Sequence, residues 1–272
     1  MTDAETPTPE TPDPSSADAA DAPEAVEAPA PAPAASRTAG TPALELRHVN
    51  AGYGPFRALF DLSLSVAPGR SLALVGPNGA GKTTVARLAS GLVAPTSGQV
   101  FVGGEDLTGA DPYRFARAGI AHAPEGRSVF ATLTVEENLV LSFRRTLGRS
   151  GVKDGLARAY ELFPALERRR RQQAGDLSGG EQRMLAMARV MVEAPKVLVA
   201  DELSLGLAPI IVERTYESLH RLADQGTALL IIEQHVSHAL ELCDDVAILD
   251  HGAIGWTGPS ADAGARVATQ LG

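Results

Sequence analysis

The described pattern of apolar and polar positions begins with two alternating stretches. Leu44-Glu45-Leu46-Arg47-His48-Val49 and Leu59 to Val66 both repeat every second residue, as in half-buried strands. Ala51-Gly52-Tyr53-Gly54 between them reads as a turn, and Pro68-Gly69 as another. The pattern then changes. Ser71 to Val75 is a continuous apolar run, the signature of a strand buried on both faces, and Lys82 to Gly91 has the spacing of a helix closed by glycine. Gln99 to Val102, followed by Gly103-Gly104, predicts one more short strand and a turn. From about Thr132 to Gln173 the period is helical, with helices expected at Val135 to Leu147 and Leu156 to Phe163. The run Arg168 to Arg171 reads as a solvated helix end.

The last third alternates helix and strand. Glu181 to Glu193 is helical and stops before Pro195, and Val197 to Ala200 is a strand. Ile210 to Asp224 is a helix, Thr227 to Ile232 a strand, Ser237 to Leu242 a helix and Val246 to Leu249 a strand. Such alternation predicts an α/β core with a mainly parallel sheet covered by helices. The strand-rich beginning and the helical middle read as attachments to it.

Composition separates the first 42 residues from the rest. They hold nine of the 19 prolines, twelve alanines, eight acidic residues and a single arginine. A segment so poor in large apolar side chains cannot offset its ordering entropy, so Met1 to Pro42 is expected to be a disordered tail. It carries about −7 of the −9 formal charge, which leaves residues 43–272 near −2 (23 basic, 25 acidic). That balance gives no basic footprint for nucleic acid. No stretch reaches the roughly 18 apolar residues that a membrane span requires. The single cysteine, Cys243, permits no intramolecular disulfide and suits a reducing compartment.

The chemistry is concentrated in three motifs. Gly76-Pro77-Asn78-Gly79-Ala80-Gly81-Lys82-Thr83 fits the loop G-x-x-x-x-G-K-[ST] between a strand and a helix. Glycines let successive N–H groups point at phosphates, and a helix start adds positive potential. Lys82 has the reach for the β- and γ-phosphates of a nucleoside triphosphate, and the Thr83 hydroxyl has the chemistry to ligate Mg²⁺. Leu177-Ser178-Gly179-Gly180-Glu181-Gln182 opens a second helix with glycines and a hydroxyl, a second anion site by the same physics. Val197-Leu198-Val199-Ala200-Asp201-Glu202 ends an apolar strand in two carboxylates, one suited to holding Mg²⁺ through water and one to activating an attacking water.

At these residues the chain resembles the ATP-binding subunit family of ABC transporters, from about Leu44 to Gly258. The resemblance implies a P-loop NTPase (RecA-like) core with an antiparallel β attachment and a helical subdomain at about 131–175, the ABC domain filling 43–272. It implies ATP and Mg²⁺ as ligands, with ATP contacts from Gly76 to Thr83 and from Thr84, and Tyr53 stacking on adenine. It implies Glu202 as general base, Asp201 beside the metal, and catalysis assisted by Lys82. It also implies a head-to-tail dimer with a second ATP-binding subunit, in which Ser178, Gly179 and Gly180 of one chain meet the γ-phosphate bound by the other. The remaining partners implied are membrane permease subunits and, indirectly, a periplasmic or lipid-anchored substrate-binding protein; nucleic acid is not among them. The place implied is the cytoplasmic face of the membrane, peripherally.

Departures from the common family pattern narrow the branch. Pro124-Glu125-Gly126-Arg127 puts Glu125 where most members have a metal-facing glutamine. Ser204-Leu205-Gly206-Leu207-Ala208-Pro209 puts Ala208 at a usual aspartate, and Ile232-Glu233-Gln234-His235 puts Gln234 at the switch histidine. With Leu133-Thr134-Val135-Glu136-Glu137-Asn138-Leu139, these are similar to the second ATP-binding subunit (LivF-type) of branched-chain amino acid importers. The expected function is therefore an ATPase energising import of branched-chain or related amino acids, with a urea, amide or other amino acid importer as the alternative. Two residues leave even that pattern: Leu203 stands at a usual proline and His235 at a usual asparagine. Phe130 and Leu133 are expected near the groove that receives a permease helix.

Overall fold

The computed structural model describes residues 40–123, 129–202, 207–233, 240–241 and 243–271. All but the last three residues of the acidic Pro/Ala-rich segment 1–42 lie outside the described residues, as do Glu125, Leu203, Gln234, His235 and most of the helix expected at Ser237 to Leu242.

Two sheets organise the rest. The first is antiparallel, in the order β2 (Phe56–Val66), β1 (Leu44–Tyr53), β4 (Ser97–Val102), β5 (Glu105–Asp106). The β1–β2 hairpin runs further than the alternation suggested, because Tyr53 still pairs with Phe56 and the chain reverses at Gly54, whose φ is 56°. The alternation breaks near His48 and Asp61, both at left-handed φ, where the register shifts and His48 Nδ1 meets Asp61 Oδ1 at 2.9 Å. The second sheet has the order β10 (Ala253–Pro259), β9 (Asp245–Asp250), β3 (Ser71–Val75), β8 (Ala228–Ile232), β7 (Val197–Asp201), β6 (Ile120–Ala123). All its pairings are parallel except that of β10 with β9.

Every residue of β3, β7 and β8 is buried, as continuous apolar runs demand. Alternate residues of these strands go to opposite faces. Leu72, Leu74, Val197, Val199 and Leu230 join α1 (Lys82–Ala89) and the antiparallel sheet. Ala73, Val75, Leu198, Ala200 and Ile231 join α6 (Gly179–Val192) and α7 (Pro209–Asp224). Between the sheets' contributions come α2 (Pro112–Ala118), α3 (Val135–Thr146), α4 (Gly148–Leu162) and α5 (Pro164–Arg168), and the chain ends in a helix, Ser260–Leu271. Among the described residues no helix is long and apolar enough to cross a membrane.

This architecture brings the C-terminal ends of β3, β8 and β7 side by side. Leu74 pairs with Ile232 and Ile232 with Asp201, so the loops that leave these strands share one edge of the sheet. In open parallel sheets that edge is where ligands bind.

Candidate functional site

The loop between β3 and α1 is shaped by three of its glycines. Gly79 and Gly81 have φ of 82° and 105°, values costly for any residue with a Cβ. At Gly76 a Cβ would stand 2.2 Å from the Leu249 carbonyl oxygen, so β9 leaves room for backbone alone. Pro77, Asn78 and Gly79 are exposed while Gly76 and Ala80 are buried, which makes the loop a rim over a packed base. Ala80 N–H donates to the Pro77 carbonyl at 3.2 Å, and Gly252 N–H holds the Ala80 carbonyl at 2.9 Å.

Lys82 opens α1 and is buried. Its ammonium folds back over the loop and donates to the carbonyls of Gly76 at 2.7 Å and Pro77 at 3.0 Å. Burial pushes its pKa down, and the nearby carboxylates of Glu202 and Asp201 oppose that push. The phosphate loop and the end of β7 therefore form one electrostatic unit. Thr83 is half-buried and Thr84 buried in the first turn of the same helix. That helix start has no side-chain cap and no acidic residue in its first turn. Free amides, a positive helix end and a buried ammonium converge there, a site that asks for a polyanion.

Asp201 is the last residue of β7 and is 1% exposed. Glu202 follows at φ 52°, its N–H donating to the Ile232 carbonyl at 2.8 Å. Thr83 and Asp201 supply a small set of oxygen donors, which fits Mg²⁺, a cation that keeps waters and phosphate oxygens in its shell. No group of three or more His, Cys, Asp or Glu able to hold a metal alone occurs among the described residues. Tyr53, 42% exposed at the end of β1, is tied to α1 by Arg87, whose Nη1 donates to the phenol oxygen at 3.2 Å. The Arg87 guanidinium also lies 5.9 Å from the centre of the Tyr53 ring.

Ser178, Gly179 and Gly180 start α6, two residues earlier than the spacing suggested, because Ser178 caps it. The Ser178 hydroxyl accepts from Glu181 N–H at 3.3 Å, and the Glu181 carboxylate accepts from Ser178 N–H and Oγ at 3.0 Å each. Arg169 pairs with that carboxylate at 2.6 Å. Ser178 and Gly179 are exposed, and the Ser178 hydrogen bonds run to Glu181 rather than to the phosphate loop. Glu125 and Gln234 lie outside the described residues.

Sequence reasoning missed several participants. Arg183, on α6, donates to the carbonyls of Asp201 and Glu202. His122, in β6, is largely buried beside a groove of about 450 Å³ between β6, α2, α3 and α6. Its Nε2 makes no hydrogen bond among the described residues, and burial, aided by the Arg87 charge, pushes its pKa down to about 4. Arg189 is another: its guanidinium lies 5.3 Å from the ring of Phe130, the residue expected near a permease groove, which is 48% exposed. None of Arg183, His122 and Arg189 stands in one of the three motifs, so only the fold reveals them.

The sequence profile of the ABC transporter family matches residues 59–204, more than half of the chain. The high-affinity branched-chain amino acid transport ATP-binding protein BraG of Pseudomonas aeruginosa is 40% identical over 211 residues, 78% of this chain and 90% of that protein. A probable branched-chain amino acid transport ATP-binding protein, LivF, of Archaeoglobus fulgidus is 38% identical over 77% of this chain and 89% of its own length. Among solved structures, the ATP-binding subunit of an ABC transporter superposes with a TM-score of 0.74 at 26% identity, over 84% of this chain and 95% of that one. A dimeric ATP-binding cassette in a post-hydrolysis state bound to ADP and Pi has the same fold, with a TM-score of 0.72 over 80% of this chain and 98% of that one.

Proposed function

The chain belongs to the ABC transporter family, and from that premise we propose that it is the ATP-hydrolysing subunit of an importer for branched-chain or related amino acids. The observation that carries this reading is the 40% identity to BraG over nine-tenths of that protein. The phosphate loop with its buried lysine supplies the binding site for ATP, the nucleotide this family uses.

In this reading the loop amides and Lys82 hold the triphosphate, and Tyr53, steadied by Arg87, offers its ring to the adenine. Thr83 and Asp201 would hold Mg²⁺, which when bound neutralises charge on the phosphate oxygens. Glu202 takes the proton of the attacking water. Glu125 and Gln234 retain their expected roles beside the metal and the γ-phosphate. Ser178, Gly179 and Gly180 serve the nucleotide bound by a second ATP-binding subunit, so that ATP joins the two and hydrolysis parts them. A groove near Phe130 and Leu133 takes a helix of a membrane permease, and the chain works at the cytoplasmic membrane face. The domain is read as 43–272, with a helical subdomain near 131–175 and the acidic tail 1–42 before it.

Uptake of radiolabelled leucine in a host strain lacking this gene, complemented by wild type or Glu202→Gln, tests both halves. Restoration by wild type alone, blocked by excess valine and not by urea, is the expected result. Inhibition by urea instead would move the cargo to the amide class and leave the motor role standing. Full uptake with Glu202→Gln would remove Glu202 from the role of base.

A further inference from the structure

Glu202 occupies an unusual backbone position for a residue asked to aim its side chain. It is the first residue beyond β7, and its φ of 52° lies in the left-handed region. For a residue with a Cβ that conformation is strained, and it persists where the surroundings over-determine it. Two elements do so here. From β8, the Ile232 carbonyl accepts the Glu202 N–H at 2.8 Å. From α6, Arg183 donates through Nη2 to the Glu202 carbonyl and, at 3.3 Å, to the Asp201 carbonyl one residue earlier. Both polar backbone groups of Glu202 are thereby held, and its carboxylate lies close enough to the phosphate loop for Lys82 to sense its charge.

A planar guanidinium suits this task, because one of its nitrogens carries two hydrogens fixed in direction. Nη2 reaches two successive carbonyls at the strand end, which a single-point ammonium on a flexible stem reproduces poorly. Arg183 also stands one turn after Gly179, so the helix that begins at the second glycine motif is the element that braces the Glu202 turn.

We propose that Arg183 is a positioning residue for Glu202: by holding the carbonyls of Asp201 and Glu202 it keeps the turn left-handed and the carboxylate aimed at the phosphate loop. The inference rests on the reading of Glu202 as general base.

Steady-state ATP hydrolysis by the full-length chain tests it, with kcat and KM for ATP determined separately and expressed per folded molecule from a thermal melt. Arg183→Ala should lower kcat by about tenfold to a hundredfold, the scale of a misaimed catalytic group, with KM changed by less than about twofold. Arg183→Lys should recover part of the loss. Adding Arg183→Ala to Glu202→Gln should cost nothing further, since both act through one carboxylate. An arginine that merely staples α6 to β7 would lower the melting temperature and leave kcat per folded molecule at the wild-type value; that result overturns the proposal. So does a KM that rises as far as kcat falls. Should Arg183→Ala fail to fold, Arg183→Lys decides alone: a kcat at least about threefold down supports the proposal, and wild-type kcat overturns it. Normal hydrolysis by Glu202→Gln would instead mark the base assignment as the failure.

Discussion

The two glycine-led helix starts, at α1 and at α6, use the same ingredients and are finished in opposite ways. α1 begins at Gly81 without a side-chain cap or an acidic residue in its first turn, and a buried ammonium lies across the loop that precedes it. Its amide donors and positive end are left for a ligand. α6 begins at Ser178 with a complete capping box, so its first donors are already satisfied by its own side chains, and a carboxylate sits in its first turn. Arg169 compensates that carboxylate. The first start needs an anion to be complete; the second is complete without one. In the proposed cycle this is the difference between a site that retains its nucleotide and a face that meets it only while two subunits are joined.

The largest effect that would break this contrast is at Lys82. Lys82→Ala removes the ammonium that folds over the loop, and ATP hydrolysis should fall by about a hundredfold or more. The rise in melting temperature that saturating ATP gives the wild type should disappear with it, because that rise is binding free energy. Without nucleotide the melting temperature should change little, since the removed group is a charge that burial disfavours. A variant that still gains stability from ATP would show that the loop amides alone hold the phosphates.

Ser178 gives the next largest effect, and α3 provides its control. Thr134 and Glu137 form the same capping box at the start of α3, Glu137 N–H donating to Thr134 Oγ1 at 3.2 Å and the Glu137 carboxylate accepting from Thr134 N–H at 2.8 Å. The Thr134 backbone N–H and hydroxyl hold the Glu137 carboxyl below the usual carboxylate range. Ser178→Ala and Thr134→Ala should each lower stability by about 1 kcal/mol, the ordinary worth of an N-cap. Only Ser178→Ala should also slow ATP turnover, by about tenfold. Equal turnover in the two variants would reduce Ser178 to a helix cap.

How much of this was legible in the chain depended on whether each signal was local. The apolar runs of β3, β7, β8 and β9 read directly, because strands buried on both faces need no partner to be recognised. β6 and β10 did not: Ile120-Ala121-His122-Ala123 is short and carries a histidine, and β10 is broken by Gly255 and Gly258. α2, α5 and the terminal helix escaped as well. α4 was half seen, since Gly148, Gly151 and Gly155 weaken any helical reading of its first half. At Gly155 a Cβ would stand 2.8 Å from the Phe143 ring, so the glycine that hides the helix is what lets α3 and α4 close on each other. In the candidate site, the glycine loop, Lys82 and the Asp201–Glu202 pair stand in the sequence as motifs, and Ser178 opens a separate one at α6. The left-handed backbone of Glu202 and its brace from Arg183 were not, because both depend on carbonyls that only the fold brings into reach.

Glu181 offers the smallest and most discriminating change. Its carboxylate closes the capping box, a role an amide oxygen also fills, so Glu181→Gln should lower stability by about 0.5 kcal/mol or less through the weaker, uncharged bonds. The same carboxylate stands at the end of α6 that the proposed cycle brings to a γ-phosphate, where like charges repel. Neutralising it should therefore help ATP: the concentration for half-maximal hydrolysis should fall by about twofold to threefold, and the gain should shrink as salt screens the charge. Glu137→Gln, the matched change at α3, should lose similar stability and leave the ATP dependence untouched. Stability and ATP response would then move in opposite directions at one helix start and not at the other, as expected if α6 is capped against solvent and held in reserve for a phosphate. If Glu181→Gln raised the half-maximal ATP concentration instead, the carboxylate would be required in the bound state. The capping box would then have to survive the encounter intact, and the distinction between the two helix starts would lie in Lys82 alone.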